Sequence, residues 1–502
     1  MKPGRSLLGS TLLLLTVLAC SPSPERVEGL PETPAAGPEP SLVILISLDT
    51  LRADHLGSYG YPEFTSPSLD ALAAEGTLFE DASAPAPWTL PSHASMLTGL
   101  YPLEHGVVTA ATELPQEVET LASLLEAEGF ETAAVVNSTW LTQKTFGLTR
   151  DFDRFHAVND SDYGRRTPSV WVTDQAIEWI REAKESPLFV FMHYYDVHAD
   201  YASQPVYEKL FVEEYEGVAD GTGWQLQAEN FDPRHIAYCL SSFSADVCAF
   251  GSREKPRIID ENLRKPNFDQ TDARHLEQLY DAGIRQLDAE LGRFFRFLDD
   301  AGVRERALVI VTADHGEEFL DHGAVDHSMT AYQELLHVPM IWRGSGVPVG
   351  FRVKAPVSLV DIVPTVLSWV GASSVPTLAG QDLMPLMSQE SEFDWRSRPI
   401  WGEASAAESQ GAPLDSFYPL FRSVRQGSFK LIQEVRGGQT RLFDLEKDPL
   451  EQRDISAEQP ERTQFLMEML EARHTSAKRA AGEEVLLDPE DVERLRALGY
   501  VP

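Results

Sequence analysis

Three continuous runs of Val, Ile, Leu and Phe stand out along the chain, where a half-buried strand would alternate apolar with polar positions. They are "SLVILISLD" ending at Asp49, "PLFVFMHYYDVH" ending at Asp196 and His198, and "ALVIVTADHG" ending at Asp314 and His315. Such runs suit strands of a parallel sheet covered by helices on both faces. A helical period governs "HLEQLYDAGIRQLDAELGRFFRFLDDAG", where Leu276, Leu279, Ile284, Leu287, Leu291, Phe295 and Leu298 share one stripe that stops at Gly302. After Arg343, "FRSVRQGSFKLIQE" and "TRLFDLEKDPLEQRD" read as short strands with turns, and "RTQFLMEMLEARHTSAKRAA" reads as a helix. The expected architecture is α/β: a large, mostly parallel sheet sandwiched by helices over residues 41–345, with a smaller α+β subdomain and tail over 346–502, the subdomain beginning between about residues 345 and 400. A polar and aromatic insertion at about 202–270 is too long for a plain connector and reads as a lid or specificity loop.

The N-terminus follows a different logic. "MKPGRSLLGSTLLLLTVLAC" has two positive charges, Lys2 and Arg5, a short apolar core and small residues before Cys20, the pattern of an export signal over residues 1–20. Val17-Leu18-Ala19-Cys20 resembles a bacterial lipobox, with Cys20 lipidated and a Pro-rich tether over 21–40. Ordinary signal cleavage near Cys20 is the alternative. The expectation is an exported, membrane-anchored lipoprotein on the periplasmic face or outer membrane of a bacterium. Ser21 shows no inner-membrane retention aspartate. Cys239 and Cys248 then remain as a pair that could close a disulfide in an oxidising compartment, or stay as two thiols.

Composition changes the picture through charge. The chain has 42 Lys and Arg against 78 Asp and Glu, a net charge of −36, which leaves no extensive basic surface for nucleic acid. An anionic substrate needs local cations, and few Lys or Arg beyond Arg52 lie near the strand ends, so the cations are expected to be bound ions.

A single Asp after a strand is usually a turn residue or cap. Three segments delivering Asp and His to one sheet edge, where ligands of open α/β sheets collect, indicate a site instead. Within "APWTLPSHASMLTG", Thr89 reads either as a helix N-cap or as a nucleophile, and Pro91 falls in the first turn.

The ordered motifs "LVILISLDTLRADHLGSYGY", "TLPSHASMLTGLYPLEHGV", "VTADHGEEFLDHG", "ELLHVPMIWRG", "SLVDIVPTVLSWVG" and "FRSVRQGSFKLIQ" with "RLFDLEKDPLEQRD", running from Leu42 to Asp454, resemble the sulfatase family of the alkaline phosphatase superfamily. In that family's signature a Cys or Ser two residues before a proline becomes formylglycine, and an Arg lies two residues after it. Aligned on Pro91 and Thr98-Gly99, Thr89 takes the nucleophile position and His93 the arginine's. Threonine cannot become that aldehyde, because its β-carbon bears a methyl group. Superfamily relatives that cleave or transfer phosphoryl groups use threonine directly, as a hydroxyl ionised on a divalent metal.

The resemblance implies that Asp49, Thr89, Asp314 and His315 hold a first metal, with Thr50 where many sulfatases have a second aspartate. Asp196, His198 and His327 are expected around a second metal, with one-metal readings left open. Zn²⁺ or Mn²⁺ is favoured, with Ca²⁺ or Mg²⁺ the other choices. His93 either contacts the transferred group's oxygens or sits in the helix's first turns, and His322 orients a ligand from behind. His105 and His193 are read as structural, and Glu317 and Glu318 as a solvated face.

The expected function is hydrolysis of a phosphate ester or phosphodiester through Thr89, on a small molecule or a glycan or lipid headgroup, with membrane contact through the lipid anchor alone. Sulfate-ester hydrolysis, transfer of an envelope phosphoryl headgroup, and an inactive surface lipoprotein are the alternatives.

Overall fold

A computed structural model describes residues 1, 41–109, 112–141, 146–158, 167–184, 186–230, 266–404, 421–435, 438–476 and 483–484. The export signal with Cys20, the tether, Cys239 and Cys248 lie outside the described residues.

The first apolar run forms β1 (Leu42–Leu48), buried at every position. The other two form β5 (Leu188–Tyr194) and β6 (Ala307–Thr312), likewise wholly buried and paired parallel on either side of β1. Each fully buried Leu, Ile or Val contributes about 1.5–3 kcal/mol over its exposed state, so these runs are stable only at the centre of a covered sheet. With β2 (Thr77–Ser83), β3 (Glu131–Val136), β4 (Arg154–Ala157), β7 (His337–Arg343) and β8 (Phe351–Val353), they make a sheet in the order β8-β2-β7-β6-β1-β5-β3-β4. A short strand β9 (Val357–Ser358) also joins β2. Its neighbours are parallel except around β7, which runs antiparallel to both β2 and β6.

Helices cover the sheet: α1 (Pro67–Ala74), α2 (Thr89–Thr98), α3 (Leu121–Ala127), α4 (Pro168–Ala183), α5 (Gln270–Asp300) and α6 (Ile362–Trp369). α5 carries the apolar stripe read in the sequence, and its Leu276, Ile284, Leu287, Leu291, Phe295 and Leu298 are buried. Asp269 caps it by accepting from the backbone N–H groups of Thr271 and Asp272. From its middle, the Tyr280 hydroxyl donates to the Thr50 carbonyl at 2.7 Å and accepts from Arg52 N–H at 2.8 Å. That pair of bonds pins the turn leaving β1.

A second, antiparallel sheet follows: β10 (Ile400–Ala404), β11 (Phe421–Gln426), β12 (Phe429–Glu434) and β13 (Thr440–Asp444), backed by α7 (Pro460–Ser476). Leu466 and Leu470 of α7 pack with Val424, Leu431 and Leu442 in its own small core. The smaller subdomain, expected to begin between about residues 345 and 400, starts its sheet at the far end of that range. β8 and β9 extend the large sheet, α6 packs into the main core, and the smaller sheet begins at Ile400.

Candidate active site

Strand register assembles the site. Ser47 of β1 pairs with Thr312 of β6, so Asp49 and Asp314, each two residues beyond, leave neighbouring strands at the same height. Asp314 is held by backbone N–H donors, from His315 at 3.0 Å and Thr50 at 3.3 Å, both on Oδ1. His315 donates Nδ1–H to the Gly316 carbonyl at 2.9 Å, which turns its other nitrogen, Nε2, toward the carboxylates. That Nε2 lies 3.4 Å from Asp314 Oδ2 and 3.7 Å from Asp49 Oδ1. Gly316 makes the turn feasible, since a Cβ there would fall 1.9 Å from the Glu334 carbonyl oxygen.

Thr89 enters from α2, whose N-terminus meets this edge because the Ser92 hydroxyl donates to the Asp314 carbonyl at 2.6 Å. The helix is buried along its whole length and ends at Gly99, whose φ of 68° is left-handed. Trp88, extended, takes the N-cap position and Thr89 is the first helical residue, so the N-cap reading of Thr89 does not hold. Its hydroxyl lies close enough to Asp49 to favour that carboxylate's ionised form, while Oγ1 itself completes no hydrogen bond of normal geometry.

Asp49 Oδ1, Asp314 Oδ2, His315 Nε2 and Thr89 Oγ1 are thus buried without hydrogen-bond partners. Orphaned polar atoms in such number are costly, and buried ionised carboxylates more so. Asp49, Asp314 and His315 bring donor atoms within 4.8 Å of one another, and the mixture of carboxylate, imidazole and hydroxyl fits a divalent cation such as Zn²⁺ or Mn²⁺. Without such a cation, burial pushes the Asp49 carboxyl up to about 7, against the pull of His327 and the Thr89 hydroxyl. Burial and the neighbouring Asp49 charge push Asp314 well above the ordinary carboxylate range. Burial holds His315 far below its ordinary range, leaving it neutral and able to ligate.

A second group of donors faces the first. Glu317, Asp326 and His327 also bring atoms within 4.8 Å of one another, and the His327 ring lies 4.5 Å from that of His315 and 4.9 Å from that of His198. His327 Nδ1 is 2.8 Å from Asp326 Oδ1 and 3.1 Å from Glu317 Oε1, and these carboxylates hold its pKa up against the effect of burial. The short antiparallel pairing of Glu318–Phe319 with Val325–Asp326 folds this loop back over the site.

Several expectations change here. Glu317 and Glu318 are buried, not solvated, because that hairpin closes over them. Asp196 belongs to neither donor group. The turn after β5 carries its carboxyl to the start of α4, where the Ser169 side chain and backbone N–H engage it. His93 is fully buried and has both ring nitrogens engaged, Nδ1 2.8 Å from the Thr89 carbonyl and Nε2 2.8 Å from Ser47 Oγ. His193, read as merely structural, places Nε2 3.1 Å from Asp49 Oδ2.

His322 stands behind the site. It stacks on Tyr332 with ring centroids 3.6 Å apart, with Nδ1 2.5 Å from Glu334 Oε1 and Nε2 3.1 Å from the Glu451 carbonyl. His105 lies in the core, its Nε2 3.0 Å from Ser95 Oγ. Arg52 is committed elsewhere, bridging Asp54 and Asp321 and donating to the Glu317 carbonyl.

Comparison with known proteins identifies the family. The chain matches the sulfatase family over residues 41–372. It is 26% identical over 458 residues to arylsulfatase K of Mus musculus, covering 85% of this chain and 78% of the relative. It is 24% identical over 422 residues to the multifunctional alkaline phosphatase superfamily protein PehA of Trinickia caryophylli, covering 71% of this chain and 78% of that one. Among solved structures, a protein bound to its substrate D-glucosamine-2-N,6-O-disulfate superposes with a TM-score of 0.67 at 19% identity, over 88% of this chain and 98% of the other. The phosphonate monoester hydrolase of Agrobacterium radiobacter gives 0.66 at 20% identity, over 87% and 96%. These last two likenesses establish the fold. With its strand-end carboxylates and a family match across the whole large sheet, the chain belongs to the sulfatase family of hydrolases, within the alkaline phosphatase-like superfamily.

Proposed function

We propose that the chain is a metal-dependent hydrolase of phosphate esters or phosphodiesters with Thr89 as its nucleophile. One observation carries the reading: Thr89 Oγ1 is buried and unpartnered beside Asp49, at a helix N-terminus, where a formylglycine precursor would otherwise stand. Asp49, Asp314 and His315 would hold the cation together with Thr89 itself. When bound, a divalent cation lowers the hydroxyl's pKa and neutralises the carboxylates.

Thr89 Oγ then attacks phosphorus, the bond from phosphorus to the leaving oxygen breaks, and that oxygen departs with the proton the hydroxyl gives up. The N-terminus of α2 favours the negative charge that gathers at phosphorus. Water cleaves the resulting phosphothreonine and restores the hydroxyl. His327, of the second donor group, and His198, whose ring lies 4.9 Å from it, are the imidazoles suited to contact the substrate's oxygens.

The names of the curated relatives favour a second reading, sulfate-ester hydrolysis. Against it stands the γ-methyl of Thr89, which blocks conversion to an aldehyde. Substrates in view are anionic esters, on a small molecule or on a glycan or lipid headgroup, reached by an exported protein tethered through Cys20. Among the described residues no helix is long and apolar enough to cross a membrane.

Initial rates on matched aryl phosphate, aryl phosphodiester, aryl phosphonate and aryl sulfate test the proposal, with the chain loaded with Zn²⁺ or Mn²⁺. The phosphoryl substrates should be turned over and the aryl sulfate left nearly untouched. Preferential cleavage of the sulfate would overturn it.

A further inference from the structure

Behind the two carboxylates lie two imidazoles from unrelated parts of the chain. His193 comes from the large sheet, on β5, and His93 from the second turn of α2. Their ring centroids are 5.0 Å apart and their planes cross at 70°. Both are fully buried.

Each ring's partners fix its tautomer. With Asp49 ionised, as a bound cation would hold it, the carboxylate only accepts and His193 donates Nε2–H to Oδ2, at 3.1 Å. The Thr89 carbonyl also only accepts, so His93 must donate from Nδ1, at 2.8 Å, and the same nitrogen lies 3.3 Å from Asp314 Oδ2. His93 Nε2 is left to accept from the Ser47 hydroxyl, at 2.8 Å. Ser47 in turn pairs in register with His193 on one side and Thr312 on the other. His193 therefore sits two residues beneath the level of Asp49 and Asp314 on the sheet, and His93 is fastened to the same row through Ser47.

We propose that His193 and His93 are positioning residues acting as a pair, His193 fixing the Asp49 carboxylate and His93 fixing Thr89 against Asp314. The inference rests on the reading that Asp49 and Asp314 bind a divalent cation. His193 occupies Oδ2 of Asp49 and so presents Oδ1 to that cation. His93 bonds the main chain of the nucleophile and faces the neighbouring carboxylate, so it sets the distance between the attacking oxygen and the metal-binding groups.

The two halves separate experimentally. His193→Leu removes the donor, whereas His193→Gln can return an N–H near the Nε2 position. Zn²⁺ affinity, measured by competition with a chromophoric chelator, should fall about 10–100-fold in the leucine variant, the range usual for partners of metal ligands, and recover in the glutamine variant. Excess Zn²⁺ should restore its kcat. His93→Leu should instead lower kcat about 100-fold at saturating Zn²⁺, as a nucleophile displaced by about 1 Å would, with His93→Asn recovering part of it.

Should the leucine variants not fold, ¹⁵N spectra of the histidine-labelled, Zn²⁺-loaded wild-type chain decide, with His93→Asn and His193→Gln supplying the assignments. A proton on Nε2 of His193 and on Nδ1 of His93 is expected, and the opposite tautomer at either ring overturns the proposal. So does a folded His193→Leu chain with wild-type Zn²⁺ affinity. A wild-type chain that binds no Zn²⁺ or Mn²⁺ would instead refute the metal reading beneath it.

Discussion

Replacing Thr89 with alanine separates a nucleophile from a packing residue, because the structure gives two very different magnitudes. Thr89 is completely buried, and Oγ1 makes no hydrogen bond of normal geometry, so its removal strands no donor or acceptor. Trp88 holds the N-cap position, so no cap is lost. What remains is a cavity of one methyl and one hydroxyl group, a cost of about 1–1.5 kcal/mol that the better helix propensity of alanine partly offsets. In a chain this large that lowers Tm by only a degree or two. A lost nucleophile is another matter: a fall in kcat of about 10³-fold or more corresponds to a barrier higher by at least about 4 kcal/mol. Thr89→Ser keeps the oxygen and should keep a substantial part of the rate, at the cost of one buried methyl. The assay is turnover of an aryl phosphodiester by the metal-loaded chain, with thermal unfolding followed in parallel. Intact-peptide mass spectrometry of acid-quenched reactions adds a direct readout, a phosphoryl group on the Thr89 peptide of the wild type. Wild-type turnover by Thr89→Ala would refute the assignment outright.

Three further outcomes follow from other parts of the molecule. In chelator-treated protein, burial holds Asp49 and Glu317 near 7, above their unfolded values near 4, so the stability that their protonated forms give is present below about pH 4 and lost as pH rises through 7. Tm without metal should therefore fall from pH 5 to pH 8, Asp49→Asn should flatten that slope, and Zn²⁺ or Mn²⁺ should raise Tm most at pH 8; identical slopes with and without the substitution would contradict the buried-carboxylate account. Lys430 of β12, buried against Glu451 at 3.0 Å, stabilises the junction of the small sheet with the Gln333 turn, so Lys430→Met should cost about 3–5 kcal/mol by leaving Glu451 buried and unpaired, and a small Tm change would show otherwise. Cys20→Ser should shift the protein out of the membrane fraction or leave it unprocessed, as fractionation would show, because an acylated cysteine is the anchor expected from the sequence.

What the sequence made legible was governed by strand ends. Asp49, Asp314 and His315 each follow a continuous apolar run, and parallel pairing of such runs fixes the register that brings them together. Asp196 follows an equally good run, yet adjacency to a strand end does not say to which side a turn sends its carboxyl, and Ser169 claims it. Glu317, Glu318 and Asp326 lie in an acidic loop with no apolar period, and only the tertiary fold-back through Val325–Asp326 buries the two glutamates. β8 and β9 are three and two residues long, too short for any period to reveal that they belong to the large sheet. His193 did leave a trace: it is a polar residue inside the otherwise apolar run Leu188–Tyr194, on a strand buried at every position. A lone histidine in such a run must find a partner, and Ser47, the polar residue in the matching run of β1, marks the row in which to look.

That row bears on how so acidic a chain accommodates an anionic substrate. Arg52, the cation nearest the motif in sequence, is already bound to Asp54 and Asp321, so its charge is compensated before any substrate arrives. Burial leaves His93, His193, His198 and His315 below their ordinary pKa range, and they supply hydrogen-bond donors and ligands in place of positive charge. His327 is the exception within the site, yet Asp326 and Glu317 flank it. Among the described residues His327 pulls on Asp49 and Asp314 but is itself flanked by carboxylates, and under the proposed function a phosphoryl group approaching Thr89 would add to their negative charge. Under the proposed function a bound divalent cation would resolve both problems at one point, joining the orphaned oxygens, the neutral imidazoles behind them and the Thr89 hydroxyl in a single arrangement.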